Sequence, residues 1–456
     1  MSNIISVSNQ NLETLNIIGA GLAGTEAAWQ ASNLGIEVNL FEMRPKKSTA
    51  AHQTSNLAEL VCSNSFRSNS VKNAVGLLKK EMRKLDSLIM NCAEESKIPA
   101  GTALAVDREI FSKKVTEKIE KNPKIKLIRE EVESLDIFKD STTIIATGPL
   151  TSDSLSEEIK KLTNEKYLYF YDAISPVIHG DSIDMSIAFF GSRYGKGSSG
   201  EEGDYINIGL DKEQYTNFIN ELIKGGKIPL RDFEKAIFFE GCLPIEVMAS
   251  RGIDTLAYGA MKPIGIENPR TKERFYAVIQ LRKENLTGEF YSIVGFQTRL
   301  KYPEQKRIFS TLPALSKVKF LRYGSLHRNT YIHSPRLLNL NLQLKENKNL
   351  FFAGQLTGVE GYIESTAIGL LAGLNAATII RGEEPSIPPA TTAIGSLNRY
   401  VAESQTENFQ PMNVNFGIFP SLQSPIRKKE ERRDALITRA LNDLEQWKED
   451  TLLCKI

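Results

Sequence analysis

The chain has 456 residues, 41% of them hydrophobic, with 57 basic and 55 acidic side chains and a formal net charge of +2. That length predicts two or three domains with substantial apolar cores. The near-neutral balance excludes a protein that holds nucleic acid through a global positive field, so any RNA contact must rest on a local basic patch.

Residues 1–13 read as a polar lead-in, without the apolar stretch of a signal peptide. Residues 15–18 form an apolar strand that enters Gly-Ala-Gly-Leu-Ala-Gly at 19–24. A helix follows over 25–34, then a second strand over 36–41 that ends in Glu42. The order strand, glycine turn, helix, strand, acid is that of a dinucleotide site. Gly19 serves the tight turn, Gly21 the approach of backbone amides to a pyrophosphate, and Gly24 the close packing of helix on strand. The helix N-terminus faces the phosphate charge, and Glu42 accepts from a ribose 2′-hydroxyl.

Residues 71–96 read as one long helix, because Leu78, Met82, Leu85, Ile89 and Cys92 fall on a single apolar stripe. Residues 142–145 are a β-rich run ending in Ala146-Thr147-Gly148. After about Tyr171 short strands alternate with glycine-rich turns such as 195–200. One helix starts at Asp211, with Gln214 placed for a capping box, Tyr215, Phe218, Ile219 and Leu222 on its buried face, and Gly225-Gly226 as its stop. Strands are expected at 277–281 and 290–296. Residues 350–354 form a buried strand meeting a turn, 358–361 a flexible loop, and 365–377 a helix rich in small residues. The near-apolar run 366–380 is too short to span a bilayer. Residues 428–450 form an amphipathic helix with Leu436, Leu441, Leu444 and Trp447 inward. The expected architecture is α/β: a Rossmann-like cofactor domain made of residues 14–170 and 335–456, interrupted by an inserted α+β domain over 171–334.

The glycine turn serves NAD and FAD alike, whereas a chain that returns to its first domain encloses a long cofactor from both ends and favours FAD. Gly148, Gly354 and Gln355 are the expected contacts from the returning segments, beside Gly19, Ala20, Gly21, Leu22, Ala23, Gly24 and Glu42. The four cysteines make neither a disulfide framework nor a zinc spacing, so reduced thiols and no metal are expected. Cys92 lies on the apolar stripe and reads as structural, and Cys454 lies too near the end for a role. Cys62 and Cys242 each follow an apolar run and open a loop, with Arg67 and Arg251 nearby in sequence to favour a thiolate. By position alone either is more often structural than reactive. The segment 299–336 carries Arg299, Lys301, Lys306, Arg307, Lys317, Lys319, Arg322, Arg328 and Arg336 against Glu304, interleaved with Tyr302, Phe309, Phe320, Tyr323 and Tyr331. It is equally a solvated basic face over core aromatics and an RNA surface. Arg299, Lys301, Arg322, Tyr323 and Arg328 are its candidate contacts. His52, His327 and Glu360 carry weaker expectations.

The segments together resemble the folate- and FAD-dependent tRNA (uracil-5-)-methyltransferase family. The resemblance rests on Gly-Ala-Gly-Leu-Ala-Gly-Thr-Glu-Ala-Ala-Trp at 19–29, Phe-Glu-Met-Arg-Pro at 41–45, Ala-Glu-Leu-Val-Cys-Ser-Asn-Ser at 58–65 and Asn-Ala-Val-Gly-Leu-Leu-Lys at 73–79. It extends through Ile-Pro-Ala-Gly at 98–101, Ala-Val-Asp-Arg at 105–108, Phe-Glu-Gly-Cys-Leu-Pro-Ile-Glu at 239–246, Met-Lys-Pro-Ile-Gly at 261–265 and Val-Gly-Phe-Gln-Thr-Arg-Leu at 294–300. Arg-Tyr-Gly-Ser-Leu-His-Arg-Asn-Thr at 322–330 and Gln-Leu-Thr-Gly-Val-Glu-Gly-Tyr at 355–362 complete it. Ser55 and Ala260 depart from the family pattern, where an acid and a proline are expected.

The resemblance implies a cytoplasmic enzyme that methylates carbon 5 of the tRNA T-loop uridine. It implies 5,10-methylenetetrahydrofolate as one-carbon donor, reduced FAD as its acceptor, NAD(P)H as reductant, tRNA as the macromolecular substrate and no obligatory protein partner. It makes Cys242 and Cys62 the catalytic pair, Cys242 adding to the uracil and Cys62 moving a proton, with the reverse order also open. Other readings keep the chemistry on a ribosomal-RNA uridine, or make the chain a relative of the longer flavoproteins that modify the tRNA wobble uridine. A flavin-binding RNA-binding protein without catalysis and a plain FAD oxidoreductase remain as readings from other classes.

Overall fold

The computed structural model describes residues 13–49, 51–163, 168–195, 203–229, 243–272, 274–405, 407 and 409–451. The expectations placed on the lead-in, the glycine-rich turn at 196–200, Cys242 and Cys454 lie outside these residues.

One six-stranded sheet runs in the order Gln343–Leu344, Asn347–Phe352, Thr143–Ile145, Leu15–Ile18, Val38–Phe41, Ile125–Ile128. All its pairings are parallel except that of the edge strand Gln343–Leu344. Strand Leu15–Ile18 is wholly buried and reads as a short apolar run, as a parallel strand covered on both faces should. The chain crosses from it to one side at Val38–Phe41 and to the other at Thr143–Ile145, so the sheet's topological switch point lies at the C-terminal end of Leu15–Ile18. Helix Tyr362–Ile380 packs across helix Leu22–Asn33 through Gly369 and Gly373. A Cβ there would stand 2.3 Å from the Ala23 carbonyl oxygen and 2.4 Å from that of Ala27, so only glycine lets the two backbones meet. This 19-residue helix is long and apolar enough to cross a membrane by length and composition, which the shorter run expected from sequence was not, but 78% of its apolar window is buried inside the fold.

The second six-stranded sheet is antiparallel, in the order Phe189–Gly191, Tyr205–Leu210, Ala277–Lys283, Phe290–Ile293, Val177–His179, Phe320–Arg322. Helix Lys212–Lys224 covers it, with the capping box of Asp211 and Gln214 formed and Tyr215, Phe218, Ile219 and Leu222 buried. Its core is separate from that of the first sheet. A long two-stranded ladder, Leu168–Ile174 against Ser325–Tyr331, carries the chain between the two regions.

The single helix expected over 71–96 is two, Ala74–Lys84 and Leu88–Glu95. Asp86 takes a positive φ of 53°, and Ser87 caps the second helix by accepting from the Met90 N–H. The apolar stripe survives the break, with Leu78, Met82, Leu85, Ile89 and Cys92 all buried. Helix Lys429–Asp450 buries Leu436, Leu444 and Trp447, while Leu441 is partly buried.

Candidate functional site

A cleft opens at the switch point of the parallel sheet. Gly19, Ala20, Gly21, Leu22 and Ala23 line it, with Glu42 at the end of the next strand and Gly148, Gly354 and Gln355 on the facing wall. Gly19 has φ +100°, and a Cβ on it would lie 2.7 Å from the Ala146 carbonyl oxygen. Gly21 is the N-cap of Leu22–Asn33 with no side-chain cap, and a Cβ there would meet nothing within 4 Å. The first-turn N–H groups are therefore left for an anion. Gly24 does not line the cleft. Its Cβ would stand 1.8 Å from the Gly19 carbonyl oxygen, so it serves packing and not contact. A second uncapped helix N-terminus reaches the cleft at Gly361, bringing Tyr362 and Ser365 to the wall. Two uncapped helix N-termini and a glycine backbone cradle suit the two phosphates of a dinucleotide.

Glu42 is buried and gripped by Arg44, which the sequence reading passed over inside Phe-Glu-Met-Arg-Pro. The Arg44 backbone N–H and Nε each donate to Oε1 at 3.0 Å, and a terminal nitrogen donates to Oε2 at 3.3 Å. Burial pushes the Glu42 carboxyl up, but the Arg44 bonds outweigh it and hold it below the usual range. Arg44 also donates to Glu59 at 3.0 Å. Burial, and then Arg44, push the neighbouring His52 down to about 4, so this cleft-lining imidazole is neutral at physiological pH.

Val61 and Tyr362 line the cleft, and Cys62 follows directly. The Tyr362 hydroxyl accepts from the backbone N–H of Cys62 at 2.8 Å and of Ser63 at 3.1 Å. Arg108 donates to the carbonyls of Leu60 at 2.6 Å and Cys62 at 3.1 Å. Arg322 donates to those of Val61 at 2.9 Å and Cys62 at 3.3 Å. Arg282, from the second sheet, donates to Asn64 and Ser63 at 2.8 Å each. The cysteine loop is thus clamped from both sheets. The arginine expected to act on Cys62 from sequence, Arg67, is instead ion-paired with buried Glu364, and Arg108 and Arg322 take that place. Burial raises the Cys62 thiol, Asp172 raises it further, and the two arginines only partly oppose them, so Cys62 carries its proton at neutral pH. Cys92 is buried and pushed up to about 12 by burial, as suits a structural thiol.

Around this loop lie Asp172, Glu360 and His327. Glu360 accepts from the Gln355 side-chain amide at 2.7 Å, and burial followed by Asp172 pushes its carboxyl well up. His327 lies opposite Asp172 in the ladder and meets Ser325 at 2.9 Å. Burial and Arg322 lower its pKa. Among the described residues no group of three or more His, Cys, Asp or Glu is placed to hold a metal.

The basic candidates diverge in space. Lys301 is exposed and Arg299 half-buried, with the Arg299 backbone N–H on Glu246 at 2.9 Å. Half-buried Arg322 turns onto the cysteine loop. Tyr323 stacks between Tyr302 and Phe320. The Arg328 side chain lies outside the described residues.

The family model for glucose inhibited division protein A matches residues 14–384. Relatives named methylenetetrahydrofolate–tRNA-(uracil-5-)-methyltransferase TrmFO are 56% identical in Natranaerobius thermophilus, over 96% of this chain and 100% of the relative. In Heliobacterium modesticaldum the figures are 52%, 97% and 99%. The chain belongs to the TrmFO family. Among solved structures, Aquifex aeolicus GidA superposes with a TM-score of 0.68 at 16% identity, over 96% of this chain and 73% of that one, which shows a shared fold. The TrmFO relatives match along their full length, whereas GidA extends well beyond this chain.

Proposed function

We propose that the protein is a folate- and FAD-dependent tRNA (uracil-5-)-methyltransferase, acting in the cytoplasm on the T-loop uridine. The observation that carries this reading is the Cys62 loop, clamped at the edge of the glycine-turn cleft by a cleft-lining tyrosine and two arginines. TrmFO relatives at more than half identity support the assignment of substrate and donor.

In this reading the cleft would hold FAD. The turn at 19–23 and the first-turn amides of Leu22–Asn33 would hold its phosphates, Glu42 its adenosine ribose, and Gly148, Gly354, Gln355 and the N-terminus of Tyr362–Ile380 its ring. When bound and reduced by NAD(P)H, it supplies acceptance of the folate methylene and the hydride that completes the methyl group. The protein supplies the activation of uracil. Carbon 5 is a poor nucleophile until a thiolate adds at carbon 6 and places electron density on it. After alkylation a base removes the carbon-5 proton and the thiol is eliminated. A thiol that keeps its proton is a poor nucleophile, which supports giving the addition to Cys242; for Cys62 to take the carbon-5 proton, it must first give up its own. Glu360, its carboxyl pushed up by burial and Asp172 beside the same loop, is a second group able to take part in proton transfer.

The test is direct. Purified holoenzyme, with a flavin spectrum, is given methylenetetrahydrofolate, NAD(P)H and unmodified tRNA, and the RNA is digested for mass spectrometry. Methylation at carbon 5 of the T-loop uridine is expected. Its absence, or the same product on a ribosomal RNA alone, overturns the reading.

A further inference from the structure

Four aromatic rings form a column at the margin of the second sheet. Tyr302 stacks on Tyr323 with centroids 4.9 Å apart and planes at 17°. Tyr323 stacks on Phe320 at 4.6 Å and 19°, and Phe320 leans on buried Phe309 at 6.1 Å. Near-parallel rings at this spacing repeat the geometry of stacked bases. The column runs from the core outward and ends in Tyr302, which is 51% exposed.

Its surroundings are cationic. Tyr302 and Lys306 lie four apart on helix Tyr302–Phe309, hence on one face, and Lys301 precedes it. Lys301 and Lys306 are exposed. The nearby carboxylates Glu304 and Glu221 share Arg307, which offsets one of their two charges and so reduces their repulsion of a phosphate. The column also connects to the candidate site. Tyr323 directly follows Arg322, whose guanidinium holds the Val61 and Cys62 carbonyls, and adjacent Cα atoms are about 3.8 Å apart.

We propose that the outer face of Tyr302 is a stacking platform for a base of the substrate RNA next to the one being modified. This rests on the tRNA reading above and names the surface that meets the RNA. A uridine modified on carbon 5 must leave its stack, which exposes the faces of its neighbours. Aromatic rings bordered by lysines are the surface such bases take, since stacking accepts any base and the ammonium groups meet the backbone.

The experiment measures tRNA binding by the flavin-loaded full chain, apart from turnover, for wild type, Tyr302→Phe, Tyr302→Leu and a Lys301→Ala/Lys306→Ala double variant. Tyr302 is half-exposed, so these changes spare the core, and an unchanged flavin spectrum and melting midpoint verify that. Tyr302→Leu is expected to raise Kd about tenfold, Tyr302→Phe to stay within twofold of wild type, and the lysine pair to weaken binding and flatten its salt dependence. Tyr302→Leu binding within twofold of wild type overturns the platform, as does equal weakening by Phe and Leu, which would assign the contact to the hydroxyl. Wild-type enzyme that binds tRNA through Tyr302 but makes no methylated uridine defeats the activity reading and leaves the platform standing. Methylation with an indifferent Tyr302→Leu does the reverse.

Discussion

Cys62 is controlled by groups that reach it from distant parts of the chain. Tyr362 holds the two N–H groups of its loop, and Arg108 and Arg322 hold the carbonyls. Tyr362→Phe removes that acceptor and leaves two backbone donors short, at a cost of about 1–3 kcal/mol each where burial is complete. The expected result is a lower melting temperature with faster alkylation of Cys62 by iodoacetamide, and unchanged alkylation would contradict the clamp. The division of labour between thiols is checked with 5-fluorouridine tRNA. Cys62→Ala is expected to trap the covalent RNA adduct and Cys242→Ala to lose it, and the opposite pattern reverses the roles. The glycine turn and Glu42 were legible in sequence because their spacing is local. Arg108 and Arg322 were not, since an arginine in a chain carries no mark of the carbonyl it will reach across 46 or 260 residues.

Helix boundaries show what periodicity does and does not carry. The stripe from Leu78 to Cys92 identified the buried face correctly, yet the helix breaks at Asp86 and Ser87. A stripe reports which side faces the core, and it is blind to a cap that restarts the helix on the same side. Buried Glu81 on the first of these helices has a similar hidden purpose. It accepts from the backbone N–H of Ala393 at 2.8 Å and of Ile394 at 2.9 Å, at the start of helix Ala393–Glu403. Burial raises its carboxyl from 4.5 to about 8, against the pull of those two bonds. The native state therefore keeps a proton that the unfolded chain releases. This contribution to stability is full below pH 4.5 and is lost as pH rises through about 8. Glu81→Gln is expected to flatten the decline of melting temperature across that window, and a profile parallel to wild type would sink the assignment. Gly369→Ala places a methyl 2.3 Å from the Ala23 carbonyl oxygen. It is expected to destabilise by about 1–3 kcal/mol or more, measured by denaturant unfolding.

The two six-stranded sheets have separate cores and are joined at the Cys62 loop by Arg282, Asn64 and the Arg108–Glu284 ion pair. The cofactor cradle can be tested at this scale. FAD at a hundred times its Kd should stabilise the apoprotein by about 2.7 kcal/mol. Gly21→Val should melt like wild type without FAD, because a Cβ there meets no protein atom within 4 Å, but should lose most of the FAD-dependent rise. An undiminished rise would move the cofactor elsewhere. The sequence by itself determined the nucleotide turn, the return of the chain to a parallel sheet, the family, and the two thiols as candidates, because short-range spacing and motif identity encode these. Only the tertiary structure decided which arginines clamp Cys62 and that Tyr302 ends an exposed column. These contacts join residues far apart in the chain, and each partner is chosen by how the sheets and helices stack.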